Sequence, residues 1–367
     1  MRILVTGGAG FIGRHLCEAL VERGDDVVVY DVMEPQAQSR MPWGCATRNL
    51  CAGFIMPGDL EGVDAVVHLG ALVGVGQSQY EIARYVRRNT LDTAYLLEAL
   101  VQAPPRRLVV ASSMSVYGEG AYAIPSRGFV MRYPRPRTRE RMEEAARSGE
   151  WELYLRDAGG REYLQHVSTP EKKPLLPASV YAITKRDQEE LCLTIGAAYG
   201  ISTIALRFGN VYGRGQALGN PYTGAIAIFA SRAANGLAPI VYEDGKQLRD
   251  FTHVSDIVRG ILLALDSDVS DQAINLGTGT PTSVLDVASR ASEYWEAPLP
   301  ELPGVGRAGD VRHCYLDVTR ARASLGFRAD VSLDWGLSDL FAWLDDQDVV
   351  SADSEYAEDV LRAKGLV

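Results

Sequence analysis

Tyr181 and Lys185 stand four residues apart in the segment Ser179-Val180-Tyr181-Ala182-Ile183-Thr184-Lys185. On a helix that spacing puts both side chains on one face. An ammonium beside a phenol favours phenolate and lowers a pKa that is otherwise about 10. A tyrosine tuned in this way can take a proton from a sugar or alcohol hydroxyl and return it. Tyr242 and Lys246 share the spacing, but Glu243-Asp244-Gly245 between them reads as a turn, so that pair need not share a face. Ser113 is the third candidate. It follows the apolar run Leu108-Val109-Val110-Ala111 and can exchange a hydrogen bond with a reacting oxygen. Taken singly, an i,i+4 pair is an ordinary exposed helix contact and a serine after a strand is an ordinary cap, so context decides.

That context begins at Arg2. Ile3-Leu4-Val5 is a short apolar run, followed by Thr6-Gly7-Gly8-Ala9-Gly10-Phe11-Ile12-Gly13, then apolar residues at helical spacing through Leu16, Ala19, Leu20 and Val21. A second run, Val27-Val28-Val29-Tyr30, ends in Asp31. A lone G-x-G-x-x-G is weak evidence, but here Gly8, Gly10 and Gly13 follow a strand and open a helix. Amides at that helix N-terminus can face a pyrophosphate, and the missing side chains let it approach. Asp31 lies eighteen residues beyond Gly13, where a carboxylate accepts hydrogen bonds from an adenosine ribose and repels a 2'-phosphate. NAD is therefore expected rather than NADP.

The elements that must position these groups alternate. After an irregular region from Val32 to Pro57, Val63 to Leu69 reads as a strand ending in Gly70-Ala71, Glu81 to Leu100 as a helix, and Arg107 to Ala111 as the next strand. The helix from Ser179 to about Tyr199, the strand Ile201 to Arg207, a helix to Leu265 and a last strand Ala273 to Gly277 continue the pattern. Near-continuously apolar strands alternating with helices predict an α/β, Rossmann-type doubly wound parallel sheet, with ligands beyond the carboxyl ends of the strands. A smaller mixed α/β substrate domain is expected to follow it. Residues 1–207 and 250–277 are assigned to the NAD-binding domain, 208–249 and 278–344 to the substrate domain, and 345–367 to a peripheral acidic tail. The stretch 119–177, rich in Arg, Glu and Pro, is too long for a plain connection. It reads as a subdomain, a lid or a partner surface, with Arg139 to Gly149 as its one convincing helix and its charges as a solvated face.

At 367 residues the chain suggests about two domains on a prior of ~150 residues each, and its 47% hydrophobic content supplies a large core. A formal net charge of -10 argues against nucleic acid as a partner, while leaving room for a local cationic pocket for a diphosphate. Cys17, Cys45, Cys51, Cys192 and Cys314 are odd in number and scattered, so neither a disulfide framework nor a metal site is expected. No basic-then-apolar leader precedes the first strand, and no apolar run reaches the ~18 residues of a membrane span. A cytoplasmic protein that does not engage membranes is the expectation.

Seven motifs in order now carry a resemblance. They are Gly7 to Gly13, Ser112-Ser113-Met114-Ser115-Val116-Tyr117-Gly118, Tyr181 to Lys185, Arg207 to Gly213, Arg249-Asp250-Phe251-Thr252-His253-Val254, Asn275-Leu276-Gly277-Thr278-Gly279 and Arg307-Ala308-Gly309-Asp310. Together they resemble the extended short-chain dehydrogenase/reductases, the NAD-dependent nucleotide-sugar epimerase/dehydratase family, over roughly Arg2 to Leu344 apart from the insertion. The resemblance implies that Ser113, Tyr181 and Lys185 are catalytic. It implies NAD contacts at Gly7, Gly10, Phe11, Ile12, Gly13, Asp31, Asp59, Leu60 and Asn89, with Gly70 close to the cofactor and Tyr181 and Lys185 touching it. Ser113, Asn210, Arg249 and Arg307 match positions that hold a nucleoside-diphosphate sugar, the arginines suiting the diphosphate. It also implies a homodimer joined through the helix after Asn89 and the helix of Tyr181.

Departures narrow the reaction. The family's 4,6-dehydratases carry Asp and Glu after the catalytic hydroxyl, and its decarboxylases resemble one another in a Glu at the second position; here these are Met114 and Ser115. Methionine cannot donate a proton. The segment Tyr117 to Tyr122 and the charged insertion are similar to a bacterial subgroup containing dTDP-L-rhamnose 4-epimerase-like enzymes, though no cysteine lies between Cys51 and Cys192 where several members carry pairs. The expectation is a C4 epimerase working through a transient 4-keto sugar. A 4-keto-sugar reductase is the second reading, and a non-catalytic NAD-binding sensor or scaffold the third.

Overall fold

Strands buried on both faces must be apolar at every position, and the odd and even residues must find separate cores. The computed structural model, which describes residues 1–35, 45–49, 55–157, 160–217, 224–347 and 359–367, shows this partition. Seven parallel strands, β1 (Arg2–Thr6), β2 (Asp26–Asp31), β3 (Ala46–Asn49), β4 (Ala65–His68), β5 (Arg107–Ser113), β6 (Ser202–Phe208) and β7 (Gln272–Leu276), are ordered β7-β6-β5-β4-β1-β2-β3. Ile3, Val5, Val27 and Val29 pack with Leu16 and Leu20 of α1 (Phe11–Glu22) and with Ile257 and Ile261 further along the chain. Leu4, Val28, Val66 and Val110 face the other way, onto Leu96 and Leu100 of α2 (Asp92–Gln102) and Cys192 of α3 (Val180–Tyr199). Ser179 caps the N-terminus of α3 through its side chain, and Gly200 ends it in the left-handed conformation.

Five expectations need correction. The region after Asp31 is not wholly irregular: β3 extends the sheet at its edge, pairing Val28 to Asp31 with Ala46 to Asn49. Its sequence Ala-Thr-Arg-Asn lacks the apolar run that marks the central strands, because an edge strand gives up half its partners. Residues 36–44 and 50–54 of that region, Cys51 among them, lie outside the described residues. The expected helix from Glu81 to Leu100 is broken into Ile82–Tyr85, a wider π-helical turn Val86–Leu91, and α2.

The insertion holds strands as well as the expected helix. Thr138 and Gly149 do cap the helix Arg139–Ser148. Strand Ala121–Ile124 also lies between Val130–Arg132 and Gln165–Val167 in an antiparallel sheet, and Tyr154–Asp157 pairs with Gly160–Tyr163. Strands of three or four mixed residues leave no periodicity to read. Nor are all its charges solvated, since Glu119 and Lys173 are buried and only 3% of the Arg137 side chain is exposed. The tail is likewise not wholly peripheral: the Ala308 amide donates to the Leu366 carbonyl at 2.9 Å, and Leu361 is 3% exposed.

Helices Ala225–Ala234, Val284–Tyr294 and Leu333–Asp345 pack around Phe229, Val287, Leu337 and Phe341 beyond the carboxyl edge of the sheet. Asp250, fully buried, ties this region together by accepting from the amides of Thr278, Gly279 and Leu316. Among the described residues no helix is long and apolar enough to cross a membrane.

Candidate active site

A single cavity of about 620 Å³ runs along the carboxyl ends of the strands, from the glycine turn past Ser113 and Tyr181 to Arg249 and Arg307. At its first end Gly7 has a φ of 71°, and a Cβ there would come within 2.8 Å of the Gly70 amide nitrogen. A Cβ at Gly13 would run into the Gly7 carbonyl oxygen, so helix α1 can sit this close to the turn only without one. Gly7, Gly10, Phe11, Ile12, Gly13, Asp31 and Gly70 all line the cavity. Asp31 accepts from the amides of Ala9 at 3.0 Å and Met33 at 2.7 Å, and its burial nevertheless pushes the carboxyl above its ordinary value.

Asp59, Leu60 and Asn89 stand differently: none of them lines this cavity. Asp59 accepts from the Met56 amide, and Leu60 is buried in the core. Asn89, fully buried in the π-helical turn, brackets Leu72 from both sides: its Oδ1 accepts from the Leu72 amide at 2.7 Å and its Nδ2 donates to the Leu72 carbonyl at 3.0 Å. It therefore fixes the loop after β4 that does line the cavity.

At the centre, the Ser113 hydroxyl lies 2.8 Å from the Ser115 hydroxyl and near enough to the Tyr181 phenol to act on its titration. Tyr181 and Lys185 both line the cavity from α3, but the electrostatics differ from the sequence expectation. Burial pushes the Tyr181 phenol up and the nearby Ser113 hydroxyl pulls it back only in part, leaving it above its ordinary value. Lys185 does not counter this: its Nζ donates to Gln188 Oε1 at 2.7 Å, and burial brings its own pKa down to about 8. A desolvated ammonium loses its proton more easily, which the spacing of two residues could not reveal.

Sequence reasoning missed the bracket beneath this pair. Gln188 donates to the Gly70 carbonyl and to Thr93 Oγ1, and its Nε2 lies 3.0 Å from His68 Nε2. His68 Nδ1 lies 2.6 Å from Thr6 Oγ1. His68 Nε2 also lies 2.8 Å from Thr93 Oγ1, whose hydroxyl donates to the Asn89 carbonyl. One chain of hydrogen bonds thus joins the strand that carries the glycine turn to the lysine of α3.

At the far end, Arg307 pairs with Asp310 at 3.0 Å and lies over the Tyr242 ring at 5.4 Å. Arg249 donates to the carbonyls of Leu248, Val311 and Arg312. Asn210 Oδ1, Gln216 Oε1 and Gln247 Oε1 are buried in this lining without a hydrogen-bond partner among the described residues, acceptors that a ligand donor would satisfy. Gln247 donates its amide to the Tyr242 carbonyl, which fixes which end faces the cavity. Neither glutamine belongs to a motif that spacing alone marks.

A doubly wound sheet with a glycine turn and a buried acid at its carboxyl edge defines a dinucleotide-binding protein of the Rossmann type. Residues 3–277 match the NAD dependent epimerase/dehydratase family, and the chain belongs to that family. It is 33% identical to dTDP-L-rhamnose 4-epimerase of Burkholderia thailandensis, over 94% of each chain. It is 28% identical to a putative UDP-glucose 4-epimerase of Methanocaldococcus jannaschii, over 93% of this chain and 98% of that one. Among solved structures, MoeE5 in complex with UDP-glucuronic acid and NAD superposes with a TM-score of 0.74 at 33% identity, covering 94% and 99% of the two chains. NAD is the cofactor, and the open glycine turn and buried Asp31 fit its pyrophosphate and adenosine ribose.

Proposed function

We propose that this chain is a nucleotide-sugar C4 epimerase in which Tyr181 is the acid–base residue, Ser113 its hydrogen-bond partner at the reacting oxygen and Lys185 the neighbouring cation. The observation that carries this reading is that Ser113, Tyr181 and Lys185 line the same cavity as the glycine turn, with Met114 and Ser115 beside them. Neither Met114 nor Ser115 brings the carboxyl group that elimination or decarboxylation would use. The relatives' substrates, UDP- and dTDP-linked sugars, support a pyrimidine nucleoside diphosphate as the carrier.

Tyr181 Oη removes the proton from the C4 hydroxyl while Ser113 holds that oxygen. Bound NAD supplies the hydride acceptor, then the donor, and its cationic ring favours the tyrosinate. Arg249 and Arg307 hold the diphosphate while the 4-keto sugar turns about its link to the phosphate and presents its opposite face. Tyr181 then returns the proton to the new C4 oxygen. The reaction consumes no cofactor.

The test is interconversion of C4 isomers by the wild type without added NAD, followed by nuclear magnetic resonance. Tyr181→Phe should lower kcat by about 10²- to 10⁴-fold with NAD still bound. Full activity in Tyr181→Phe removes this tyrosine from the chemistry, and a net absorbance change at the nicotinamide band identifies a reductase instead. We further propose that Val86, Leu91 and Ile183, exposed on the packed helices around Asn89 and Tyr181, meet a second copy of the chain. A monomer in light scattering would exclude that.

A further inference from the structure

Glu243 is an anomaly in three respects. Its φ is 57°, the left-handed region that favours glycine. Its side chain is 1% exposed. It meets two arginines from distant parts of the chain, Arg137 of the insertion at 2.5 Å and Arg312 at 2.9 Å. Arg312, fully buried, also pairs with Asp244 and with Glu152 of the insertion. Glu119 closes the cluster: it lies 3.3 Å from Arg137 and accepts from the Arg312 amide at 2.9 Å. Buried charges this interlocked are costly to assemble, and removing one strands the others.

What the cluster holds is the far wall of the cavity. The Glu243 backbone opens the turn that carries Tyr242 and Gln247, and the carbonyls of Val311 and Arg312 are two of the three on which Arg249 rests. Arg249 has no carboxylate among these partners, so its direction depends on where those carbonyls sit. We propose that Glu243 is a positioning residue for the diphosphate. Through Arg137 and Arg312 it lets the insertion 119–177 set the placement of Arg249, Tyr242 and Gln247. The inference rests on the reading of Arg249 as a diphosphate ligand. It gives the insertion a task other than covering the site.

The experiment compares wild type, Glu243→Gly, Arg137→Ala, Arg137→Lys, Arg249→Ala and the double variant Glu243→Gly/Arg249→Ala, each as the full chain with NAD. UDP and dTDP are titrated calorimetrically, and KM and kcat are measured for the epimerised sugar. Glycine suits a φ of 57°, so Glu243→Gly removes the carboxylate without straining the turn. Its expected effect is about tenfold weaker diphosphate binding and a similar rise in KM, with kcat and bound NAD unchanged. Arg137→Ala should do the same and Arg137→Lys should recover part of the loss. The double variant should lose less than the sum of the two single losses, because part of the Glu243 effect passes through Arg249. Unchanged binding in Glu243→Gly and Arg137→Ala, or additive losses in the double variant, overturns the proposal. If wild type binds neither UDP nor dTDP, the diphosphate reading falls and the inference falls with it.

Discussion

His68 offers a quantitative test of the bracket beneath the active site. The imidazole is 5% exposed, its ring nitrogens lie against Thr6, Thr93 and Gln188, and burial together with the Lys185 charge holds its pKa down to about 3. In the unfolded chain the same residue titrates near ~6.5. Its folded pKa is depressed, so below pH 6.5 the unfolded state takes up a proton that the native state refuses, and stability falls with pH until about 3. Integrating between pH 7.5 and 5 gives a loss of roughly 2 kcal/mol from this residue alone. Other buried groups titrate in the same range, so the measurement is a difference. Unfolding free energies of wild type and His68→Asn are taken from urea titrations at both pH values. Wild type, the more stable at pH 7.5, should lose roughly 2 kcal/mol more than the variant on acidification, so the gap between them narrows. Parallel losses would mean that His68 protonates freely in the native state. The hydrogen-bond chain from Thr6 to Lys185 would then be misread.

Gly13→Ala should purify without NAD, because its Cβ meets the Gly7 carbonyl oxygen and forces α1 off the turn; nucleotide released on acid denaturation measures this. Bound NAD at wild-type levels would show that the turn yields. Leu361 reaches the cavity wall over Gly76, where a Cβ would stand 3.2 Å from its side chain. Leu361→Asp puts a carboxyl group into that contact and should raise KM for the sugar nucleotide about tenfold while NAD content stays constant. An unchanged KM would show that the C-terminal segment is no part of the substrate site.

Much of this molecule was legible before any coordinates. Continuous apolar runs marked six of the seven parallel strands, and the glycine turn and Asp31 stood where a dinucleotide site requires them. Edge strand β3 escaped because an edge position tolerates Ala-Thr-Arg-Asn, and the insertion's sheet escaped because its strands are too short to show a period. Asn89 does not line the cavity but braces the loop that does, and only the π-helical turn decides which way it faces.

What the sequence determined by itself is whatever local pattern and residue type control: the order of strands and helices, the glycines that permit close approach, the shared helical face of Tyr181 and Lys185. What only the tertiary structure decided is whatever depends on burial and on partners distant in the chain. Desolvation reverses the expected shift of Tyr181, Gln188 takes the Lys185 ammonium, and Glu243 meets Arg137 and Arg312 across 106 and 69 residues. Charge–charge and desolvation energies are set by distance and dielectric in three dimensions, and spacing along a chain encodes neither.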